Sequence, residues 1–405
     1  MLTHGTDFDQ KYMLCRILIS GSCRRGRQGS AIPLKGFMQP SDKFHLASLD
    51  GMRAAAAMLV FIGHAGWGDV VPGGLGVTAF FFLSGYLITT LLRREYAATG
   101  DIDFKLFYLR RAYRILPPMY LVLLLILGLG LLGVVPHTAT WPGVLAQSLQ
   151  VTNYYMIVSG LPGLVYGTGI FWSLAVEEHF YLLFPLLLLF CLRRWRHAHV
   201  ARILFALALA VLLWRCVLVY GLHAPAERTY LASDTRIDSI LYGCLMGLCC
   251  NPALDDAGAR LGAGVKAAAL GAGASLLIFC LLVRDAGFRE TLRYTLQGLA
   301  FLPIFWLAVR HPAWPVFAPL NWRPVVLMGK LSYTFYLSHF FFLKVGASLF
   351  QQRMVAALAA FGCSLLFAYL VYLFVERPCA RWRSGWPTAA AAGGRRGRVR
   401  AADPS

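Results

Sequence analysis

Acidic side chains are scarce in this chain. It has 19 Asp and Glu in 405 residues against 38 Lys and Arg, and charged residues of both signs reach only 14%. Soluble domains carry about 25%. With 58% hydrophobic residues and a mean hydropathy of +0.60, the polar residues cannot cover a set of water-facing domains. Metal-site spacing is also missing. The ten cysteines are scattered, mostly inside apolar runs (Cys216, Cys244, Cys249, Cys250, Cys280, Cys363), with no CxxC pair; they read as small hydrophobes, and no metal site is expected. Nor is there the alternation of polar and apolar residues over about ten positions that marks an outer-membrane strand. Gly128, Gly130 and Gly133 do spell GxGxxG. They lie inside an apolar run with no strand before them, which excludes a dinucleotide site.

The chain does contain long uncharged stretches, such as Met119 to Val135 and Ile203 to Leu213. A backbone in lipid must satisfy its own hydrogen bonds, and continuous runs of about 17–22 residues match helices crossing about 30 Å of hydrocarbon. The expected fold is all-α: a polytopic transmembrane helical bundle of about ten spans. These are placed near 49–66, 74–92, 116–136, 171–192, 203–221, 236–251, 263–283, 293–309, 326–346 and 354–375. With both termini in the cytosol, the inward segments hold 27 of the 38 Lys and Arg, and the outward loops hold Arg228, Arg284, Arg289 and Arg353. This is the positive-inside bias. It accounts for the net charge of +19 without a nucleic-acid partner. An eleventh span at 143–158 would place Arg193, Arg194 and Arg196 outside, so 137–170 is assigned to an outer loop that dips into the bilayer. Three regions follow: a cytosolic extension at 1–48, with Met38 as an alternative start; a membrane domain at 49–378; and a basic tail at 379–405, expected to be disordered and near anionic lipid. Gly243 and Gly247 form GxxxG, a close-packing signal.

Ionisable groups within a span are costly and point to function. Arg53 and His64 are eleven residues apart, about three helical turns or ~16 Å, and share a face. The Arg can meet an anion from the cytosol and the His can accept a proton; snorkelling and a helix-to-helix hydrogen bond are the plain alternatives. Asp50 lies one turn before Arg53. Ser84, Gly85 and Tyr86 offer close backbone approach and hydroxyls. Arg110 and Arg114, or Arg111 and Arg114, can share one helical face as a clamp for phosphate, or can anchor the third span. Ser173 and Glu177 share a face at i, i+4, and the adjacent pair Glu177–Glu178 requires a wet cavity or a partner. Arg236 and Asp238 read as cavity residues or as an ion pair. Lys330, Ser338 and His339 add polar groups to the ninth span.

Six segments then match a known family in its order. They are Leu49-Asp50-Gly51-Met52-Arg53 with His64, Phe80-Phe81-Phe82-Leu83-Ser84-Gly85, Arg111-x-x-Arg114 before Pro117, Trp172-Ser173-Leu174-Ala175-Val176-Glu177-Glu178-His179-Phe180-Tyr181, Asp234-Thr235-Arg236-Ile237-Asp238, and Glu376-Arg377-Pro378. From about Leu49 to Pro378 the chain resembles the acyltransferase 3 family of bacterial integral membrane acyltransferases. His179 stands where that family often has Gln and is given no catalytic role. No SGNH-type hydrolase domain follows the last span, so transfer is expected to finish within the membrane domain or with a separate partner.

The resemblance implies an O-acyltransferase that takes an acyl group, acetyl by default, from cytosolic acyl-CoA to a hydroxyl of a surface or exported carbohydrate. Acyl-CoA is then a donor substrate and not a resident cofactor. His64 is assigned as general base or transient acyl carrier, and Glu177 as the group that orients His64 or binds the sugar. Arg53, Arg110, Arg111 and Arg114 are assigned to the donor. Ser84, Tyr86, Ser173, Arg236, Asp238 and His339 are assigned to the cavity. A transporter or exporter of a glycan or small molecule is the alternative class, since intramembrane Glu, His and Arg also build proton relays; the halves show no convincing repeat of the kind such folds carry.

Overall fold

Lipid offers the backbone no hydrogen-bond partners, and the chain answers with helix almost throughout. The computed structural model describes residues 46–255 and 261–384. The expectations for 1–45, including the choice between Met1 and Met38, and for 385–405 lie outside the described residues. In chain order the helices are α1 (Ala47–Ile62), α2 (Gly73–Thr99), α3 (Phe104–Leu131), α4 (Trp141–Ser148), α5 (Thr152–Ser159), α6 (Phe171–Arg194), α7 (His197–Cys216) and α8 (Ala226–Leu231). They continue with α9 (Ser233–Cys249), α10 (Ala263–Leu282), α11 (Ala286–Glu290), α12 (Leu292–Arg310), α13 (Arg323–Leu349), α14 (Arg353–Val371) and α15 (Arg377–Ser384). Helix α15 takes in the first residues of the tail expected to be disordered. Among the described residues there is no strand, only one isolated parallel bridge between Ala139 and Gly163.

Seven of the described helices are long and apolar enough to cross a membrane: α2, α3, α6, α7 with its π-helical end, α10, α12 and the run from α14 through α15. The protein is a multi-pass membrane protein of all-α class. Three further long helices overlap the remaining expected spans. Of these, α1 has 16 residues and α9 has 17, while α13 has 27. These three carry Arg53, Arg236, Asp238 and His339. Leu124, Leu131, Leu182, Leu183, Phe190, Leu213, Leu282, Leu358 and Leu366 are exposed on the outside of the bundle, as a lipid-facing belt requires. Helix α2 is the central element: 78% of its apolar window is buried, against 11% for α10.

The α2–α9 contact depends on glycine. A Cβ on Gly243 would strike the Phe82 carbonyl, and one on Gly85 would strike the Ile240 carbonyl, so the two backbones touch where the GxxxG spacing placed close packing. A second lock is electrostatic. Arg215, in the last turn of α7, donates from Nη2 to Asp238 Oδ2 at 2.7 Å and to Thr295 Oγ1 at 2.7 Å, and both members of the ion pair are 0% exposed. Asp238 is therefore not the partner of Arg236. Residues two apart on a helix point to different faces, and Asp238 faces α7 while Arg236 faces elsewhere.

The stretch 137–170 holds no eleventh span. It forms the two eight-residue helices α4 and α5, broken at Gln150, whose φ is 59°. Side chains pin it down: Gln147 donates to Thr168 Oγ1 at 2.5 Å and accepts from Val165 N at 3.1 Å. Asn153 donates to Ser233 Oγ at 3.0 Å.

Two outcomes test this packing. Gly243→Ala should lower the thermal midpoint of the detergent-solubilised protein, by about 1–3 kcal/mol for overpacking; Gly128→Ala, where nothing lies within 4 Å, should be neutral or slightly stabilising. Asp238→Ala should cost about 3–5 kcal/mol by leaving Arg215 buried and unpaired, and Arg215→Met with Asp238→Leu should recover much of that loss.

Candidate active site

Five helices, α1, α2, α3, α6 and α13, enclose one pocket. Along α2 its lining runs from Leu87 to Val77, about 15 Å of helix at 1.5 Å per residue. Its two ends differ in chemistry. At one end stand Arg53 from α1 and Arg111 and Arg114 from α3, with Tyr181 and Tyr333; at the other stand Phe80, Phe81, Ser173 and Tyr336. Helix α3 starts early enough to present these arginines because Asp103 caps it, accepting from Leu106 N at 2.9 Å. Arg111 and Arg114 are three apart and so share a face. Arg111 lies over the Tyr181 ring at 5.1 Å, and Arg53 Nη1 sits 3.6 Å from Asp50 Oδ1. Three guanidiniums at one mouth make a site for phosphate or another polyanion.

Glu177 lies midway along the pocket wall. Ser84 Oγ donates to its Oε1 at 3.0 Å and Tyr181 to its Oε2 at 2.8 Å. Ser173, one turn away as the i, i+4 spacing predicts, shares a 2.6 Å hydrogen bond with the Tyr336 hydroxyl.

His64 is not in the pocket lining. Helix α1 is regular to Ile62 and then widens into a π turn at Gly63–Trp67, which ends at Gly66 with φ 98°. Such π turns recur at functional sites. Close approach of Gly63 to Gly73 holds this turn against the start of α2. His64 is exposed, and its Nδ1 lies 2.9 Å from Nε2 of His339, which is 1% exposed. The rings stack at 5.2 Å and 16°. His339 Nδ1 is 2.7 Å from the Tyr336 carbonyl, and a carbonyl oxygen only accepts. With both rings neutral, His339 therefore carries its proton on Nδ1, and its Nε2 accepts from His64 Nδ1–H. The lone pair of His64 is left on Nε2, pointing away from the pair. Tyr336, which lines the pocket, and His339, one residue triplet further along α13, are the side chains between pocket and imidazole.

The structure thus groups Arg53, Arg111, Arg114, Ser84, Ser173 and Glu177, and separately pairs His64 with His339. It does not bring Glu177 to His64, since both carboxylate oxygens are engaged by Ser84 and Tyr181. Arg110 is absent from the lining, and its carbonyl accepts from Arg383 Nη1 at 3.2 Å. Tyr86 is fully buried and donates to Asn251 Oδ1 at 3.1 Å, on the side of α2 away from the pocket. Arg236 is enclosed behind Phe81, and Asp238 belongs to the Arg215 pair. Residue-level reading missed Tyr181, Tyr336 and Arg215. Tyr181 is four residues after Glu177 and Tyr336 three before His339, spacings that put each pair on one face. Arg215 interrupts an apolar run, the signal for a buried partner.

A family model described as an acyltransferase domain matches residues 46–373. The O-acetyltransferase OatA of Staphylococcus aureus (strain NCTC 8325 / PS 47) is 28% identical over 359 residues, covering 82% of this chain and 57% of that protein. The putative O-acetyltransferase SAR0937 of strain MRSA252 is 28% identical over 379 residues, covering 87% of this chain and 61% of that protein. The chain thus spans about three-fifths of the length of these relatives. No solved structure matches it. With the family model covering nearly all of the described helices, and with Arg53, His64, Ser84, Arg111, Arg114 and Glu177 all drawn from the segments that carried the resemblance, the chain belongs to the acyltransferase 3 family.

Proposed function

We propose that the protein is a membrane O-acyltransferase of the bacterial cytoplasmic membrane. It moves an acyl group, acetyl by default, from cytosolic acyl-CoA to a hydroxyl of a surface or exported carbohydrate. The observation that carries this reading is the polarity of one pocket. Its arginine end suits nucleotide phosphates, and its far end approaches the partner ring of an imidazole with an open accepting nitrogen. Family membership and the O-acetyltransferase names of the relatives support the reaction class. The positive-inside bias supports ten spans with both termini and the arginine end in the cytosol.

Arg53, Arg111 and Arg114 hold the donor's phosphates, and the extended arm of the donor follows the wall formed by α2 and α13 towards Tyr336. His64 Nε2 takes the proton from the acceptor hydroxyl as that oxygen bonds to the thioester carbonyl carbon. The C–S bond breaks, and the coenzyme leaves as thiolate and takes up a proton. His339 is a positioning residue: it accepts from His64 Nδ1–H, fixes the ring's tautomer, and stabilises the charge that develops on the ring. Glu177, held by Ser84 and Tyr181, shapes the pocket wall between the two ends.

Purified protein given labelled acetyl-CoA should release coenzyme A in a manner dependent on a glycan acceptor. His64→Ala should reduce that rate by about 10²–10⁴ with the thermal midpoint and membrane insertion retained; near-normal transfer by this variant refutes the assignment. His339→Ala should lower kcat with little change in KM for acyl-CoA, and Arg111→Gln or Arg114→Gln should do the reverse, raising that KM about tenfold or more. Absence of coenzyme A release with every glycan extract would favour transport.

A further inference from the structure

Arg236 is 0% exposed, yet its side chain makes a single hydrogen bond among the described residues, from Nη2 to Thr78 Oγ1 at 3.3 Å. Its Nε and Nη1 are buried and reach no acceptor. Aromatic rings enclose it: the guanidinium carbon lies 3.9 Å from the Tyr294 centroid, 5.2 Å from Tyr230, 5.6 Å from Phe81 and 5.8 Å from Trp172. A guanidinium's N–H donors lie in its plane, and an aromatic ring is at best a weak acceptor for them. The cage therefore does not satisfy the donors at Nε and Nη1.

The local charges do not balance either. Arg215, Arg236 and Arg293 all lie within 5.4 Å of the Tyr294 ring. Two carboxylates answer them: Asp238 pairs with Arg215 at 2.7 Å and Glu290 lies 4.0 Å from Arg293. Arg236 is the cation left over. A buried charge without a counter-ion is among the costliest features a fold can carry, and where only packing is needed an apolar side chain does better.

The position is informative. Phe81 both lines the donor pocket and faces Arg236, and Trp172 precedes Ser173 in the same wall. On the other side Tyr230 is half-buried on α8, in the connection at the end of the bundle opposite Arg111 and Arg114. Arg236 thus lies directly behind Phe81 and Trp172 at the far end of the donor pocket, with Tyr230 packed on Trp172 at 4.8 Å. This is the end from which an acceptor approaches under the proposed function, on which this inference rests.

We propose that Arg236 is an acceptor-recognition residue whose in-plane donors take the carboxylate of an acidic sugar while the surrounding rings cover the sugar's C–H faces. A carboxylate matches the single unpaired positive charge and the planar fork. A phosphate dianion would leave the cluster with excess negative charge.

The test uses the full chain in lipid nanodiscs, with thermal shift read against D-glucuronate, D-glucose and coenzyme A. Glucuronate should raise the midpoint saturably and glucose at equal concentration should not. Arg236→Gln and Arg236→Met should remove the glucuronate response while retaining the coenzyme A response. Arg236→Lys keeps the charge without the fork, covers the case in which the neutral variants fail to fold, and should raise the half-saturating glucuronate concentration about tenfold. Equal responses to glucuronate and glucose, or an unchanged glucuronate response in Arg236→Met or Arg236→Lys, overturns the inference. Loss of the coenzyme A response in the wild type would instead strike the donor reading and leave the glucuronate arm to be judged by itself.

Discussion

The absence of water from the bilayer core governs this molecule. Every peptide group must be bonded within the chain, and every ionised side chain must find a partner or a wet cavity. Among the described residues two sets of ionisable groups meet this constraint in different ways, and Arg236 belongs to neither. Arg215 and Asp238 neutralise each other and bind α7 to α9, with Thr295 of α12 completing the set. Arg53, Arg111, Arg114 and Glu177 instead line a pocket, which hydrates them or gives them a ligand. The helix contacts serve the same end: where Gly85 and Gly243 let α2 and α9 touch, α2 can remain central and present Ser84, Phe81 and Val77 to the pocket.

The pocket and the histidine pair make a sequence of environments along one line: cations, a hydrogen-bonded carboxylate, aromatic walls with paired hydroxyls, a buried imidazole and then an exposed one. A polyanionic donor with a long flexible arm and a reactive tip matches that order. His64 is exposed at the end of that line and lies outside the pocket lining. His339 links the pocket end of α13 to His64 through one hydrogen bond.

Much of the fold was legible from hydropathy. The expected spans at 171–192 and 263–283 fall almost on α6 and α10. Span limits and helix limits differ where charges begin but helix continues. Helix α3 runs from Phe104, ahead of the apolar stretch expected from 116, because Arg and Lys in its first turns favour helix as long as they face water or a pocket. In the site, charged or hydroxyl pairs within one turn were readable, as with Arg111 and Arg114 or Ser173 and Glu177, while the tyrosines at the same spacing, Tyr181 and Tyr336, were not. Contacts between distant segments were not. His64 and His339 are 275 residues apart, and no periodicity links them. The alternative of an Arg236–Asp238 ion pair failed because two residues of separation place side chains on different faces, and the partner of Asp238, Arg215, lies on another helix.

The central claim is that the donor's acyl end lies against Tyr336 with its phosphates at Arg111 and Arg114. A coenzyme A analogue bearing a photoreactive acyl group, cross-linked to the protein in membranes and mapped by mass spectrometry, tests it most directly. The account predicts adducts on Tyr336, Ser173 or His339, competed by acetyl-CoA and diminished by Arg111→Gln. Adducts confined to the lipid-facing surface, or labelling at Tyr336 that acetyl-CoA fails to compete, would contradict it.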